Sequence, residues 1–431
     1  MKKFFVLTLL LLYFSTEVYA LPTRYDLREH GRITNVKNQQ VPGSCWAFAA
    51  LAAAESNYLT QFKSIKNLDL SEMQLAFFAY KSPKTYQNFT SKKSGTLGLE
   101  GNIFMPVAFM ARLAGPTNES SLKYSTDLSH SEKRNLSKKL PEIFKRTMRL
   151  RDAYFLSGTK TLSDSDKKNL ILKYGAIAVS MYSDMWKFKT KGKYYTYFNN
   201  SHGDEINHLV VLAGWDDNFS RENFSSPKPS KNGAWLVKNS WGTTRGSNGG
   251  YFWMSYEQKT YGGTAFIVEK NNSNIEHYGY DDLGFCGTAK NYPWGANIFK
   301  INDDGENLKE VSFYTTENNS KYEIYIYDLG TKFSPSPTSG KLISSLSGTA
   351  EFAGYHTVNL HKQILMKKGE YFSVVLELSG NSMPVEKKIS KYSENALINA
   401  NESFFSKDGK NWTDGINLKS NACIKAFTLT K

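Results

Sequence analysis

Cysteine is scarce: the 431 residues hold three, at Cys45, Cys286 and Cys423. An odd number excludes a fully paired disulfide framework and leaves at least one thiol free or shared between chains. Cys286 and Cys423 can pair with each other, and three separate thiols fit the sequence nearly as well. Long apolar runs are missing beyond residue 20, so nothing there is able to span a bilayer as a helix. No cluster of Arg and Lys with interleaved aromatics occurs. The formal charge of +14 therefore reads as dispersed, solvated surface that favours anionic surroundings, with no nucleic-acid partner. There is also no internal repeat, no low-complexity tract and no cell-wall-anchoring repeat. At 40% hydrophobic and 22% charged residues, the chain has the balance of a soluble globular protein with two or three domains.

The first twenty residues carry an export leader. Lys2 and Lys3 form its basic end, Phe4 to Phe14 its apolar stretch, and Val18-Tyr19-Ala20 the small-residue pattern that precedes cleavage. The cleaved chain starts near Leu21. No Cys follows the cleavage point, so no lipid attachment is expected there, and no transmembrane anchor remains. Only Leu21 to Ser44 separate the leader from Cys45, which leaves no room for an inhibitory pro-segment.

The stretch from Gln39 to Tyr58 organises the rest. Pro42 and Gly43 punctuate a loop. Ser44 is placed to cap a helix, and the alanines from Ala47 to Ala54 favour that helix strongly. Cys45 then falls in its first turn, where unpaired N–H groups and the macrodipole lower a thiol's pKa and favour a nucleophilic thiolate. A lone cysteine on a buried helix is also commonly structural.

Further on, Ser71 and Gln74 have capping-box spacing for a short helix. Phe104 to Leu113 has helical periodicity stopped by Gly115-Pro116, and another helix is expected through Leu136–Met148. The pattern then changes to strands at Ala176–Tyr182, Leu209–Gly214, Ala234–Lys238 and Gly250–Tyr256. A boundary falls at Asn271–Asn274. Beyond it, short strands punctuated by Gly, Pro, Asn and Asp suggest a β-sandwich, with Ala422–Thr430 paired into its body.

A catalytic thiol needs a base, an orienter for that base and donors for an oxyanion. His208 opens an apolar strand. Asn239 ends another, where its side chain can fix an imidazole tautomer. Alone, each residue is more often structural. Together, Asn38-Gln39, Gly43-Ser44-Cys45-Trp46-Ala47-Phe48, Leu70-Ser71-Glu72, Asn207-His208 and Lys238-Asn239-Ser240-Trp241-Gly242 resemble the papain family of cysteine peptidases, in the family's order. The resemblance covers about Pro22 to Tyr256. It implies Cys45 as nucleophile, His208 as base and then acid, Asn239 as orienter, Gln39 as oxyanion donor and Trp241 as a shield over the His208–Asn239 pair. It further implies a substrate pocket from Gly101, Asn102, Ile103, Phe104, Asn207 and Leu209, suited to an apolar side chain. No cofactor is implied.

The sequence departs from the family where Pro42 and Leu99 stand in place of a disulfide. It departs again where Arg245 stands at the site of a second shielding tryptophan. The C-terminal part resembles the lectin-like β domain that follows such peptidases in bacterial surface proteins, through Tyr280–Gly284, Val311–Tyr314, Tyr322–Tyr325 and Cys423–Phe427. A carbohydrate or other cell-surface ligand is implied for it. Asp303, Asp304 and Glu306 form an acidic turn with oxygens suited to calcium, although such turns are more often simply solvated.

The expected fold is an α+β papain-like two-lobed peptidase domain (residues 21–270; a helical lobe plus an antiparallel β-barrel lobe) followed by an all-β sandwich (271–431), behind a leader (1–20). The expected function is that of a secreted or cell-surface bacterial endopeptidase acting on proteins or peptides. One rival is an adhesin or carbohydrate-binding protein with a vestigial peptidase domain. Another is a cell-wall amidase or transglutaminase on a related Cys–His framework. The intact Gln39, Cys45, His208, Asn239 set speaks against the first, and the Asn-Ser-Trp-Gly match against the second.

Overall fold

A computed structural model describes residues 20–41, 43–63, 67–81, 100–126, 139–156, 162–199, 201 and 205–430. The apolar leader, Pro42 and Leu99 lie outside the described residues. Among those described, no helix is long and apolar enough to cross a membrane.

The Cys45–Gln61 helix is buried from Cys45 to Leu59, as a run of alanines that lets strands approach from several sides requires. It packs on the strands Ile177–Met181, His208–Asp216 and Thr260–Lys270. Ser44 is its N-cap residue but makes no capping bond with its side chain; that hydroxyl is engaged elsewhere. In the Glu72–Phe78 helix, Ser71 does accept from Gln74 N–H at 3.1 Å. The Gln74 side chain does not reciprocate. It donates to Ala114 O and Ile143 O and accepts from Thr117 N–H, anchoring the Gly115-Pro116 corner. Phe104–Ala111 is helical.

The helix expected through Leu136–Met148 is not formed as such. Among its described residues only Leu140–Ile143 is helical, and Met148–Phe155 is a strand. Charges of that strand are paired inside the protein. Arg149, 1% exposed, meets Glu269 at 2.9 Å and also Glu310.

One long sheet runs from Ile275–Gly279 through Ile424–Leu429, Asn307–Thr315, Gly354–Leu365, Met148–Phe155, Thr260–Lys270, Ile177–Met181, His208–Asp216, Ala234–Lys238, Tyr251–Ser255 and Tyr194–Tyr197 to Phe188–Lys191. This path is open. Among the described residues the strands of the first domain therefore form no closed barrel, and the pairing of Tyr194–Tyr197 with Tyr251–Ser255 is parallel.

In the C-terminal part a six-stranded sheet packs on this long one. An apolar core that includes Leu308, Val311, Phe313, Ile324, Phe372 and Ile424 lies between them, giving the all-β sandwich. Ile424–Leu429 sits between two strands, in the body of the sheet.

The two halves share that sheet. Gly354 pairs with Tyr154 and Tyr355 with Ala153. Thr357 N–H donates to Asp152 at 2.9 Å, and the Thr357 hydroxyl donates to Arg151 O at 2.5 Å. Tyr314, Ala353, Tyr355 and Cys423 belong to the same apolar core as the Cys45 helix.

All three cysteines are free. The open pairing of Cys286 with Cys423 is not made, for a topological reason. Ser382–Glu386 lies between the strands that carry or adjoin the two residues: Cys286 N–H bonds Val385 O, and Cys423 N–H bonds Pro384 O. Next-but-one strands lie about 10 Å apart, beyond the about 7 Å limit on the Cα separation a disulfide can bridge.

Candidate active site

Two walls meet at Cys45. One is the helix that Cys45 opens; the other is formed where the His208–Asp216 strand begins and the Ala234–Lys238 strand ends at Asn239. Cys45 is 7% exposed. Burial pushes its thiol pKa up, opposed by hydrogen bonds from the N–H groups of Leu209, Trp46 and Cys45 itself. The sequence pointed to a lowered thiol pKa at the helix start; desolvation outweighs that here.

His208 begins its strand and is 5% exposed. Its Nε2 lies 2.9 Å from Asn239 Oδ1. That oxygen also accepts from Ser240 N–H at 2.8 Å. A carboxamide oxygen only accepts, so Nε2 carries the hydrogen, and in the neutral ring Nδ1 is left as a free base. Burial, partly offset by the Asn239 bond, lowers the imidazole pKa to about 4. Both shifts favour the uncharged forms of the isolated groups.

The Trp241 ring stacks on His208, centroids 4.8 Å apart and planes 20° apart. Phe188 meets the same indole edge-on at 5.3 Å. The exposed Arg245 lays its guanidinium over it, 5.3 Å from the ring centroid. Where the sequence lacks a second tryptophan, a cation thus covers the first.

Gln39 is gripped from both sides. Its N–H donates to Ser240 O at 2.8 Å, and its Oε1 accepts from the Ser240 hydroxyl at 2.6 Å. Its Nε2 donates to Val41 O at 2.9 Å, which leaves one amide hydrogen for an oxyanion.

The residues expected to form a substrate pocket are placed unevenly. Gly101 lies flat against the Trp46 indole. Asn102 accepts from Phe104 N–H and Met105 N–H and so caps its helix. Ile103 is that helix's N-cap residue, partly exposed. Phe104 packs on Phe155 and Phe285 at the junction of the domains, which accounts for it as packing. Leu209 is buried. Asn207 uses its side chain to pin Ser183, accepting from its N–H and donating to its O. In the acidic turn, Glu306 faces inward and accepts from Tyr278, Thr428 and Asp303 N–H, while Asp303 and Asp304 meet Lys368.

Sequence reasoning gave no role to an ion cluster directly behind Asn239. Lys37 Nζ contacts Glu55 at 3.0 Å, Glu72 at 2.8 Å, Asp69 at 2.7 Å and Leu70 O at 2.9 Å. Lys238 Nζ donates to Thr34 Oγ1 at 3.0 Å, and Thr34 in turn donates to Glu55. Burial raises the Glu72 pKa to about 8 and lowers that of Lys238 to about 8. The cluster ties the long helix, the Ser71 turn and the Asn239 strand together. Its only sequence signal was that Glu72 and Lys238 sit inside the matched motifs.

Comparison with known proteins places these features in context. The family described as Papain family cysteine protease matches residues 21–275, and the one described as Lectin like domain matches residues 277–428. The solved structure of the clostridial cysteine protease Cwp84 after propeptide cleavage aligns with a TM-score of 0.78 at 26% identity, covering 95% of this chain and 99% of that one. A structure of the cysteine protease and lectin-like domains of Cwp84, a surface layer associated protein of Clostridium difficile, aligns with a TM-score of 0.75 at 26% identity, covering 95% and 89%. The viral cathepsin of Heliothis zea nuclear polyhedrosis virus is 28% identical over 53% of this chain and 51% of its own length. The chain spans about half the length of the curated relatives it matches.

Proposed function

The chain belongs to the papain family of cysteine proteases, and from that premise we propose that it cleaves peptide bonds through a Cys45 thioester. In the first step the Cys45 thiol proton passes to His208 Nδ1 as sulfur bonds the substrate carbonyl carbon. The carbonyl electron pair moves to oxygen, which the Cys45 N–H and the spare Gln39 Nε2 hydrogen receive. Collapse breaks the C–N bond, and His208 returns its proton to the departing amine. Water then attacks the thioester with His208 as base, releasing the acid and restoring the thiol. Asn239 holds the ring so that Nδ1 stays the free base, and Trp241 keeps water from that bond.

The observation that supports this reading most is the 2.9 Å bond from His208 Nε2 to Asn239, beside a cysteine at the start of a buried helix. The protein is exported, on this reading, with Lys2, Lys3 and the apolar leader directing it. The surface-layer association stated for Cwp84 supports a bacterial surface or secreted setting.

The deciding experiment treats the full chain from Leu21 with an epoxysuccinyl thiol-protease inhibitor and digests casein in parallel. Cys45→Ala serves as control. Labelling at Cys45 together with digestion is expected; folded protein that neither labels nor digests casein would overturn the reading.

For the C-terminal domain we propose a carbohydrate ligand on the outer face of its six-stranded sheet. Trp294 and Tyr325 stack there at 5.9 Å. Glu323 and Glu377 are paired in register beside them, and Tyr325 donates to Glu323. Sugar C–H faces suit such rings, and sugar hydroxyls suit such carboxylates. Glycan-array binding that is lost in Trp294→Ala is the expected result; unchanged binding in that variant would exclude this face.

A further inference from the structure

We infer that Tyr124 is a positioning residue for the oxyanion donors, holding their loop in place through hydrogen bonds. The inference rests on the catalytic reading above. The loop from Asn38 to Ser44 must deliver Gln39 and the Cys45 N–H to one point, yet it is locally strained. Gln40 has φ +58° and Gly43 φ +98°, and a non-glycine residue in that region persists only when its surroundings hold it. No covalent bridge holds it here, because Cys45 is free and the other two cysteines lie in the C-terminal half.

Tyr124 spans the loop. Its hydroxyl donates to Gln39 O at 2.7 Å and lies 2.9 Å from Ser44 Oγ. The proton inventory fixes the direction. The phenol has one hydrogen, and the Gln39 carbonyl can only accept it, so Ser44 donates to Tyr124. The result is a directed chain from Ser44 through Tyr124 to Gln39. It joins the residue before the nucleophile to the residue bearing the second oxyanion donor, and bonds in such a chain strengthen one another. This also explains why Ser44, placed to cap its helix, does not use its side chain to do so.

Tyr124 is itself held at two points. Its ring meets Phe48 edge-on at 4.9 Å, and its N–H donates to Glu119 at 2.7 Å. Burial raises its phenol pKa, so it keeps its proton. Ser240 grips Gln39 from the opposite wall. The donor is thus located by one hydroxyl from each side of the cleft.

The test is Tyr124→Phe in the full chain, which keeps the ring on Phe48 and removes only the oxygen. Three readouts are taken per titrated active site: kcat and KM on a peptide amide, inhibition by a peptide aldehyde, and alkylation of Cys45 by iodoacetamide. The aldehyde adduct places an oxyanion in the hole; iodoacetamide does not. The expected result is a roughly tenfold loss in kcat with KM within about twofold, an aldehyde Ki raised by a similar factor, and an unchanged alkylation rate. If all three stay at wild-type values, or alkylation falls in step with turnover, Tyr124 is not a positioning residue. Should Tyr124→Phe not fold, Ser44→Ala decides, with a loss of about threefold in kcat and aldehyde binding expected and none in alkylation; no loss would overturn the inference. Absence of Cys45-dependent turnover in the wild type would instead strike the catalytic reading itself.

Discussion

Gly101 lies where any side chain would collide with the wall of the site. A Cβ built there would stand 2.3 Å from Trp46 Cε2, 2.4 Å from Nε1 and 2.5 Å from Cδ2, about 1 Å inside ordinary contact. Trp46 is 1% exposed and follows Cys45 directly, so the ring has nowhere to go. The substrate-side loop must therefore shift by about 1 Å, or the indole must press on the helix that carries the thiol. Overpacking of this kind costs about 1–3 kcal/mol. For a chain this size that is about 1–3 °C in Tm. A misplacement of about 1 Å near bound substrate costs up to about a hundredfold in rate.

Gly101→Ala should accordingly lower Tm by about 1–3 °C and kcat/KM by one to two orders of magnitude. Gly380→Ala is the control. A Cβ added at Gly380 meets nothing within 4 Å, and the φ there is not left-handed, so the Tm of that variant should stay level or rise slightly. Calorimetry and steady-state kinetics on the two variants suffice. A Gly101→Ala protein with wild-type Tm and kcat/KM within twofold of wild type would show that the indole yields and that the contact does not locate this loop.

Three further outcomes follow from the buried charges. Burial that lowers the His208 pKa to about 4 places the acid limb of kcat/KM near pH 4, activity being lost as the base is protonated below it; a midpoint near 6.5 in the pH–rate profile would refute that lowering. Lys37→Met removes the cation from between Glu55 and Glu72 and should cost about 3–5 kcal/mol at pH 7 by denaturant unfolding; a loss under about 1 kcal/mol would show that the cluster does not hold these elements together. His356, 7% exposed, has its pKa lowered by burial from 6.5 to about 4. The unfolded chain binds that proton first, so the contribution is present above pH 6.5 and lost as pH falls through 4, about 3 kcal/mol in all. His356→Gln should flatten the decline in stability across that window, and an unchanged slope would count against it.

The parts of the site legible in the sequence are those whose neighbours lie close along the chain. Gly43–Phe48 declares a loop entering a helix, and Lys238–Gly242 declares a strand ending in a turn. Met148–Phe155 was not legible. Arg149, Arg151 and Asp152 break the alternation expected of a strand, and their partners Glu310 and Thr357 are more than 150 residues away. The Asp164–Tyr174 helix did carry a signal, since Ser163 and Asp166 form a full capping box, but within a charged stretch it did not stand out. The thiol pairing depended on strand order, which no spacing along the chain encodes. Tyr124 had no motif at all; its role depends on a fold that brings it beside Gln39, 85 positions away.

The shared sheet has a consequence for how the enzyme meets its surroundings. The strand from Met148 to Phe155 is hydrogen-bonded to one half on each edge, and Arg149 and Arg151 bind Glu310 across the seam. Such a joint is a weld, with no swivel between the two parts. A molecule held by its C-terminal domain points its cleft in one direction only. Which bonds it reaches is then set by where it is moored as much as by what its pocket prefers.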